Sequence, residues 1–204
     1  MRRRSLILTL ALLALLTPFC RAQHSYQKEA DRLAVLLNWQ PGSAVAEIGA
    51  GKGELTLAAA ERVGPTGHVY CTELDATKLA QLRKVAQKKR NIIALEAAER
   101  ETNLPHECCE SILMRLVYHH LTKPLEIDAS LLQSLKPAGL LAVIDEEPKP
   151  GSSRVEGVPE NRGGHGVPRK IMIEELSSVG FQVQKVYDDW PDDHYCVVFR
   201  KPGP

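Results

Sequence analysis

Short apolar runs alternate with amphipathic stretches along most of the 204-residue chain. The run at 44–48 is apolar apart from Glu47, and the stretch at 54–61 carries helix-forming residues with apolar positions on one side. The same succession of a buried strand and a helix recurs at 69–72 and 77–89. Strands that alternate with helices are typical of a largely parallel sheet covered on both faces. The pattern therefore predicts an α/β fold.

Further strands and helices continue this pattern towards the C-terminus. A lead-in helix at 25–39 either packs on the sheet or covers one side of a ligand pocket. The last two strands are joined only by the short acidic segment 188–193, so they pair as an antiparallel hairpin beside an otherwise parallel sheet. The remaining predicted strands are 91–95, 110–118, 140–144, 181–187 and 194–200, and the remaining helices are 125–135 and 169–180.

Three alternating glycines, Gly49, Gly51 and Gly53, lie between the first strand and its helix. Glycines there allow positive φ angles and a close approach of the backbone to a ligand, while the helix N-terminus presents unpaired N–H groups. The segment differs from the dinucleotide fingerprint G-x-G-x-x-G, because Glu54 stands where the third glycine belongs. It predicts a cradle for a small polar ligand and disfavours an NAD-dependent oxidoreductase.

A second acidic residue, Glu73, ends the next predicted strand about 20 residues after the glycines, the spacing of one βαβ unit. A carboxylate at this point can accept hydrogen bonds from both hydroxyls of a ribose. Glu47-x-Gly49-x-Gly51-x-Gly53 followed by Glu73 resembles the first motifs of the class I S-adenosylmethionine-dependent methyltransferases. The resemblance implies a Rossmann-like three-layer sandwich, a mostly parallel seven-stranded sheet with a C-terminal antiparallel hairpin, and S-adenosyl-L-methionine as cofactor.

The resemblance also implies roles for single residues. Glu47 orients the loop and the amino group of the cofactor, and Glu73 holds the ribose. The glycines allow the protein backbone to come close to the cofactor. The position that contacts adenine in the family falls on Ala98, so the neighbouring Glu99 is the nearest substitute. The implied cofactor-binding residues are Glu47, Gly49, Ala50, Gly51, Gly53, Glu73, Leu74 and Glu99. The stretch from 164 to 201 resembles the C-terminal part of small bacterial methyltransferases, so the resemblance spans nearly all of the chain after residue 23.

Tyr118, His119 and His120 follow the fourth predicted strand, and the carboxyl ends of parallel strands face the ligand crevice. Tyr118 is therefore a candidate substrate contact. In an extended chain the two histidines point to opposite sides, which argues against a shared metal site. One histidine is expected to be a hydrogen-bonded structural residue, and the other a general base for a hydroxyl acceptor.

An acidic tripeptide, Asp145-Glu146-Glu147, ends the fifth strand. These acids bind a substrate amine, take a proton from a nucleophile, or form a solvated loop. The segment 148–168 is rich in glycine, proline and serine, which is typical of a lid or a disordered segment. His165 lies between glycines in that segment and is a candidate substrate contact. The catalytic candidates are, in falling order, His119, His120 and Glu146.

Four cysteines follow the N-terminal segment, at Cys71, Cys108, Cys109 and Cys196. They lack the C-x-x-C spacing of a zinc site, so no metal is predicted. The formal net charge of +1 includes several positive charges near the N-terminus, which leaves the rest slightly acidic. Nucleic-acid binding requires a basic face and is disfavoured. The predicted partner is a small-molecule methyl acceptor, and the predicted assembly is a monomer or weak dimer.

The N-terminal segment has the features of an export signal. Three arginines at 2–4 precede an apolar run at 5–16, and small residues stand before a plausible cleavage site after Ala22. We expect a signal peptide or membrane anchor at 1–22, a methyltransferase domain at 23–204, and an exported, periplasmic or anchored protein. A misassigned segment would make the protein cytoplasmic. Because the cofactor is made in the cytosol, an alternative is a non-catalytic exported ligand-binding protein with a decayed cofactor site.

Overall fold

The structure, a computed structural model, describes the backbone of residues 18–203 and the side chains of residues 26–203. The predicted signal segment lies outside these residues up to position 17, and it stays a prediction. Within the described part, no helix combines the length and the apolar composition needed to cross a membrane.

Strands and helices alternate along the described residues as the apolar pattern predicts. The helices are α1 (Pro18–Leu36), α2 (Glu54–Val63), α3 (Ala76–Lys88), α4 (Pro124–Ser134) and α5 (Arg169–Ser178). The strands are β1 (Ala44–Ile48), β2 (His68–Glu73), β3 (Ile92–Glu96), β4 (Cys109–Arg115), β5 (Leu135–Asp145), β6 (Gln182–Trp190) and β7 (His194–Arg200). Single 3₁₀ turns occur at Tyr118–His120, Glu160–Arg162 and Pro191–Asp193.

The seven strands form one sheet in the order β3-β2-β1-β4-β5-β7-β6. Strand β7 runs antiparallel to both of its neighbours, and the pairings among β1 to β5 are parallel. The predicted Rossmann-like fold with a C-terminal hairpin is confirmed. The strand order reverses between β1 and β4, and a ligand crevice in such sheets opens at the carboxyl ends of the strands beside that point.

Helices cover both faces of the sheet, and successive residues of a strand point to opposite faces. Val45 belongs to the core shared with α1, α2 and α3, whereas its neighbour Ala46 belongs to the core shared with α4 and α5. The helices contribute fully or almost fully buried side chains to these cores, including Leu33, Leu55, Leu82, Leu131 and Met172.

Strand β4 ends at Arg115, three residues before the predicted end. Leu116 follows with a φ of +54°, a value that non-glycine residues adopt rarely and at some cost. Its backbone N–H donates to the carbonyl of Ile144 at 2.8 Å, which ties the reversal to β5. The chain then enters the 3₁₀ turn at 118–120. This turn places the two histidines differently from an extended strand end.

Helix α1 is joined to the C-terminal hairpin. The indole N–H of Trp190 donates to Glu29 Oε1 at 2.9 Å, and Arg32 pairs with Asp189 at 2.8 Å. The guanidinium of Arg32 also lies 4.1 Å from the centre of the Trp190 ring. These contacts connect residues more than 150 positions apart in sequence, such as the pair separated by 161.

The segment 148–168 is attached to the body of the protein by Arg162, whose side chain is fully buried. Arg162 donates to both carboxylate oxygens of Glu175, at 3.0 and 2.9 Å. Its guanidinium also lies 5.5 Å from the centre of the Tyr118 ring. The sequence predicts a lid or a disordered segment here, and the structure shows a segment docked through a buried ion pair.

Candidate active site

A cavity of about 600 Å³ opens beyond the carboxyl ends of β1, β2, β3 and β4. Its position is the one that the strand order favours for a ligand. The volume lies within the range of small-molecule and cofactor sites. The lining includes Gly49, Gly51, Glu73, Leu74, Ala98, Glu99, Arg115 and His120.

The glycine loop forms one wall of this cavity. A Cβ atom on Gly49, where φ is +66°, would lie 2.6 Å from Cγ2 of Val117, so the loop and the chain after β4 are in close contact. A Cβ atom on Gly51, where φ is +58°, would meet no atom within 4 Å. The space in front of Gly51 is therefore open to a ligand, as the glycine pattern predicts.

The carboxylate of Glu73 is held in a fixed orientation at the cavity wall. Its Oε2 accepts a hydrogen bond from the backbone N–H of Gly51 at 2.9 Å, and its Oε1 accepts from Leu74 at 2.9 Å and Asp75 at 3.0 Å. These three donors leave about one acceptor position free, on Oε2, since a carboxylate accepts about four hydrogen bonds. The site thus fits a ligand that presents a hydroxyl beside Gly51.

A cluster of three imidazoles lies at the opposite end of the cavity, formed by His119, His120 and His165. The ring centre of His119 lies 4.2 Å from that of His120 and 4.6 Å from that of His165. Nδ1 of His119 lies 2.6 Å from Oδ1 of Asp145, and both side chains are almost fully buried. Of the three rings, that of His120 lines the cavity.

His165 is oriented by the residue after Asp145. Its Nδ1 lies 3.1 Å from Oε1 of Glu146, whose Oε2 lies 3.0 Å from Nζ of Lys149. Burial alone would raise the pKa of Glu146, but the hydrogen bonds from Lys149 and His165 bring it below its ordinary value. Glu146 therefore stays ionised, with one oxygen against His165 and the other against Lys149, and its role as a general base stays a prediction.

Comparison with known proteins agrees with this geometry. Residues 46–143 match the family model described as "Methyltransferase domain". The chain therefore contains a methyltransferase domain of the class I S-adenosylmethionine-dependent family. It is an enzyme whose cofactor is S-adenosyl-L-methionine. The residues present fit that group, because the open glycine loop and the oriented Glu73 carboxylate face one cavity.

Solved structures with low sequence identity share the fold of this methyltransferase. A SAM-dependent methyltransferase from Aquifex aeolicus is 19% identical, with a TM-score of 0.70, over 87% of this chain and 97% of the other. The [4+2]-cyclase SpnF is 14% identical, with a TM-score of 0.69, over 87% and 82%. A possible exported protein from Bordetella parapertussis is 16% identical, with a TM-score of 0.65, over 91% and 68%.

Three of the implied cofactor residues of the methyltransferase lie behind the cavity wall. Glu47 is buried and accepts a hydrogen bond from the hydroxyl of Thr56. Ala50 donates its N–H to the carbonyl of Thr72, and Gly53 donates to the carbonyl of Ala50. These residues shape the loop and are absent from the cavity lining, so their implied contact with the cofactor stays a prediction.

The rim expected to hold the adenine combines an apolar surface with acidic side chains. Ala98 lines the cavity without offering a polar group, and Leu74 lies beside it with 62% of its surface exposed. Glu99 also lines the cavity, and its Oε1 accepts a hydrogen bond from the hydroxyl of Thr122 at 2.8 Å. The structure thus brings Leu74 and Glu99 to the cavity, as predicted.

Tyr118 does not reach the cavity, so its prediction as a substrate contact is wrong. The 3₁₀ turn directs its side chain into the core, where it is fully buried. Its hydroxyl lies 2.8 Å from Oδ2 of Asp128 and 3.0 Å from Oε2 of Glu175. Burial raises the pKa of Asp128 to about 8, although the hydrogen bond that Tyr118 donates to it lowers the pKa.

The prediction that His119 and His120 point to opposite sides is also wrong. It assumed an extended chain, and the residues lie in the 3₁₀ turn that follows Leu116. Burial, together with the nearby rings of His119 and His165, lowers the pKa of His120 below its ordinary value. His120 is therefore a neutral imidazole at neutral pH.

Two residues of the site, Asp145 and Arg115, received no individual role from the sequence, where Asp145 appeared only within the acidic tripeptide. Asp145 orients His119, and its place at the end of β5, beside the end of β4, was the available signal. Arg115 lines the cavity, and its Nε donates to Oε2 of Glu29 at 2.8 Å. An arginine at the end of an otherwise apolar strand was the corresponding signal.

The buried Glu47 predicts a pH dependence of stability. Burial raises its pKa from 4.5 to about 8, so the folded enzyme binds a proton that the unfolded chain releases between these values. Stability contributed by the neutral carboxyl is therefore present at low pH and lost as the pH rises through that window. We expect the free energy of unfolding of the wild type to fall as the pH rises. Its slope should exceed that of Glu47→Gln by up to about 1.4 kcal/mol per pH unit.

Urea denaturation of both proteins at several pH values between 5 and 8 measures this difference. Parallel pH profiles of the wild type and Glu47→Gln would show that Glu47 is ionised in the folded enzyme. Glu54→Gln, on the exposed first turn of α2, is the matched control and is expected to leave the profile unchanged.

Proposed function

We propose that this methyltransferase transfers a methyl group to a small-molecule acceptor whose nucleophilic atom binds beside His120. The observation that carries the proposal is that one cavity joins the ribose-binding end, at Glu73, to the histidine cluster, at His120. An acceptor bound between these ends lies next to the cofactor. The cavity volume of about 600 Å³ suits a small molecule better than a polymer.

The chemistry of the cofactor is an in-line displacement on the carbon of its sulfonium methyl group. The protein supplies alignment and a dry site for this reaction. Gly51 lets the cofactor come close to the backbone, and Glu73 fixes the ribose. His120 contacts the acceptor on the side away from the cofactor. The segment 148–168, which is docked through Arg162, holds His165 next to His120 and shields this end from water.

A non-catalytic ligand-binding protein is the second candidate. Ala98 gives the adenine no polar partner, and the similar fold of a [4+2]-cyclase illustrates that this architecture also carries other chemistry. The orientation of Glu73 and the open space at Gly51 support the transferase. The two candidates differ in whether a methyl group leaves the cofactor.

The test is binding followed by transfer. Calorimetry of the full chain with S-adenosylhomocysteine is expected to give micromolar binding, and a labelled methyl group is expected to reach at least one acceptor among phenols, thiols, amines and carboxylic acids. Binding without transfer to any class would favour the ligand-binding protein. Absence of binding by the folded chain would overturn the methyltransferase and favour a ligand-binding protein with a decayed cofactor site.

Gly51→Ala provides the matching variant. Its methyl group enters the open space of the cavity, and the positive φ adds a strain of about 1 kcal/mol. We expect affinity for S-adenosylhomocysteine to fall at least about tenfold, or about 1.4 kcal/mol. Gly151→Ala is the control, because Gly151 has a φ of +76°, open surroundings and no place in the cavity lining. If both variants lost affinity for S-adenosylhomocysteine equally, the loss would be explained by backbone strain alone.

A further inference from the structure

The three imidazoles at the end of the cavity converge on one point. A ring nitrogen from each of His119, His120 and His165 can be chosen so that all three atoms lie within 4.8 Å of one another. The three residues come from two separate parts of the chain, the turn after β4 and the segment before α5. Neutral imidazoles in this number are the ligand set that zinc, iron, nickel and copper prefer.

The nitrogens that remain available are set by two carboxylates. Nδ1 of His119 lies against Asp145 and Nδ1 of His165 against Glu146, at 2.6 and 3.1 Å. Each contact fixes a tautomer with the proton on Nδ1 and leaves the lone pair on Nε2 free. A carboxylate behind the ligating histidine is the usual outer shell of a metal site. Consecutive residues at the end of β5 supply both carboxylates.

One of these nitrogens finds no hydrogen-bond partner in the part of the chain that the structure describes. His119 is 2% exposed, and its Nε2 is buried without a hydrogen-bond partner among the described residues. A buried polar nitrogen that lacks a partner costs free energy, about 1–3 kcal/mol. An ion bound between the three rings would satisfy this nitrogen. Packing of neutral histidines alone would leave it unsatisfied.

We propose that His119, His120 and His165 bind a divalent first-row transition-metal ion, with Zn²⁺ as the reference ion, at the acceptor end of the cavity. Three nitrogens bound to one ion at about 2.0–2.1 Å lie roughly 3.3 Å apart, so the longest separation must shorten when the ion binds. His165 belongs to a glycine-flanked segment and is partly exposed, which allows this adjustment. Three protein ligands leave a coordination position open, as in catalytic zinc sites.

The open position assigns a class of acceptor. This assignment rests on the proposed methyl transfer. The acceptor is a molecule whose hydroxyl or thiol binds the ion through the atom to be methylated. Binding releases the proton of that group to solvent. The resulting anion attacks the methyl carbon, a bond from oxygen or sulfur to carbon forms, the carbon–sulfonium bond breaks, and its electron pair stays on the sulfur of S-adenosylhomocysteine. The three histidines then act as ligands, and no free imidazole base is needed.

Metal titration of the full chain tests the proposal. After chelator treatment, the protein is titrated with ZnCl₂ by calorimetry and with CoCl₂ by absorption spectroscopy. We expect one Zn²⁺ per chain and the intense visible bands of tetrahedral Co²⁺. His165→Gln is expected to lower the affinity for Zn²⁺ at least about 100-fold, and Glu146→Gln about tenfold, because the latter only weakens the outer shell.

His106→Gln is the matched control, since His106 is exposed and lies outside the cluster. Its affinity for Zn²⁺ should equal that of the wild type. Binding of S-adenosylhomocysteine, measured for every variant, reports whether the fold and the cofactor site are intact. Absence of a Zn²⁺ site in the folded chain, or equal losses in His106→Gln and His165→Gln, would overturn the proposal.

The same samples separate this proposal from the proposed function. Zn²⁺ binding without binding of S-adenosylhomocysteine would support the metal site and contradict the methyltransferase function. Binding of S-adenosylhomocysteine with methyl transfer that persists after removal of the ion would contradict the metal-bound acceptor. Transfer that is lost on chelation and restored by Zn²⁺ supports both.

Discussion

Replacement of Glu73 with alanine is expected to weaken the binding of S-adenosylhomocysteine about 100-fold or more. The substitution removes a carboxylate that is oriented by three backbone N–H groups, from Gly51, Leu74 and Asp75. Hydrogen bonds to a charged group contribute about 1.5–3 kcal/mol each, so the loss of the ribose contact and of the bond that holds Gly51 in place costs about 3 kcal/mol or more. A difference of that size corresponds to roughly 100-fold in the dissociation constant.

The position next to Glu73 in the sheet supplies the control. Glu96 pairs with Glu73 across β2 and β3, is exposed, and lies outside the cavity lining. Glu96→Ala should therefore bind S-adenosylhomocysteine as the wild type does. Glu73→Gln separates charge from shape, because an amide keeps the size but loses half of the acceptor capacity. A change of less than about threefold in Glu73→Ala, below about 0.7 kcal/mol, would exclude the ribose contact.

Arg162→Met is expected to produce the largest loss of stability, about 3–5 kcal/mol. Arg162 is fully buried and makes two hydrogen bonds to Glu175, a residue that also contacts Tyr118. Removal of one partner of a buried pair leaves the other charge without compensation. In a domain of this size, 1 kcal/mol shifts the melting temperature by about 2–4 °C, so we expect a decrease of roughly 10 °C.

Thermal unfolding of two further variants separates the effect of the ion pair between Arg162 and Glu175 from the effect of removing another arginine of the same segment. Arg154→Met removes an exposed arginine from the same segment and should change the melting temperature by less than about 2 °C, the shift of a surface substitution within about 0.5 kcal/mol. The double variant Arg162→Met/Glu175→Met removes both charges and should recover part of the loss. A single variant as stable as the wild type would show that Arg162 is dispensable for docking of the segment 148–168.

The elements with strong local signals were predictable from the sequence. The alternation of apolar runs and helices gave the seven strands, and β7 was predicted with its observed bounds, His194–Arg200. Glycine spacing and Glu73 located the cofactor end of the cavity, because turn chemistry and a strand-end acid act through the adjacent backbone. These parts depend on interactions within a few residues or one βαβ unit.

The histidine end of the cavity depended on contacts that the local sequence does not encode. Leu116 reverses the chain at a positive φ without a glycine or proline to mark it, and its N–H is held by Ile144 on the neighbouring strand. That reversal turns Tyr118 into the core and brings His119 next to His120. His165 lies about 45 residues after His120 in the chain, and its approach to His120 requires the docking of Arg162.

The bond between Trp190 and Glu29 has a consequence for how the protein is made. A ribosome synthesises the N-terminal helix first and the hairpin last, so the helix waits for more than 150 residues before its final partner emerges. Long-range contacts of this kind form late, because closing a long loop is entropically costly. The nascent chain therefore emerges almost completely before helix α1 can make its contacts with the C-terminal hairpin.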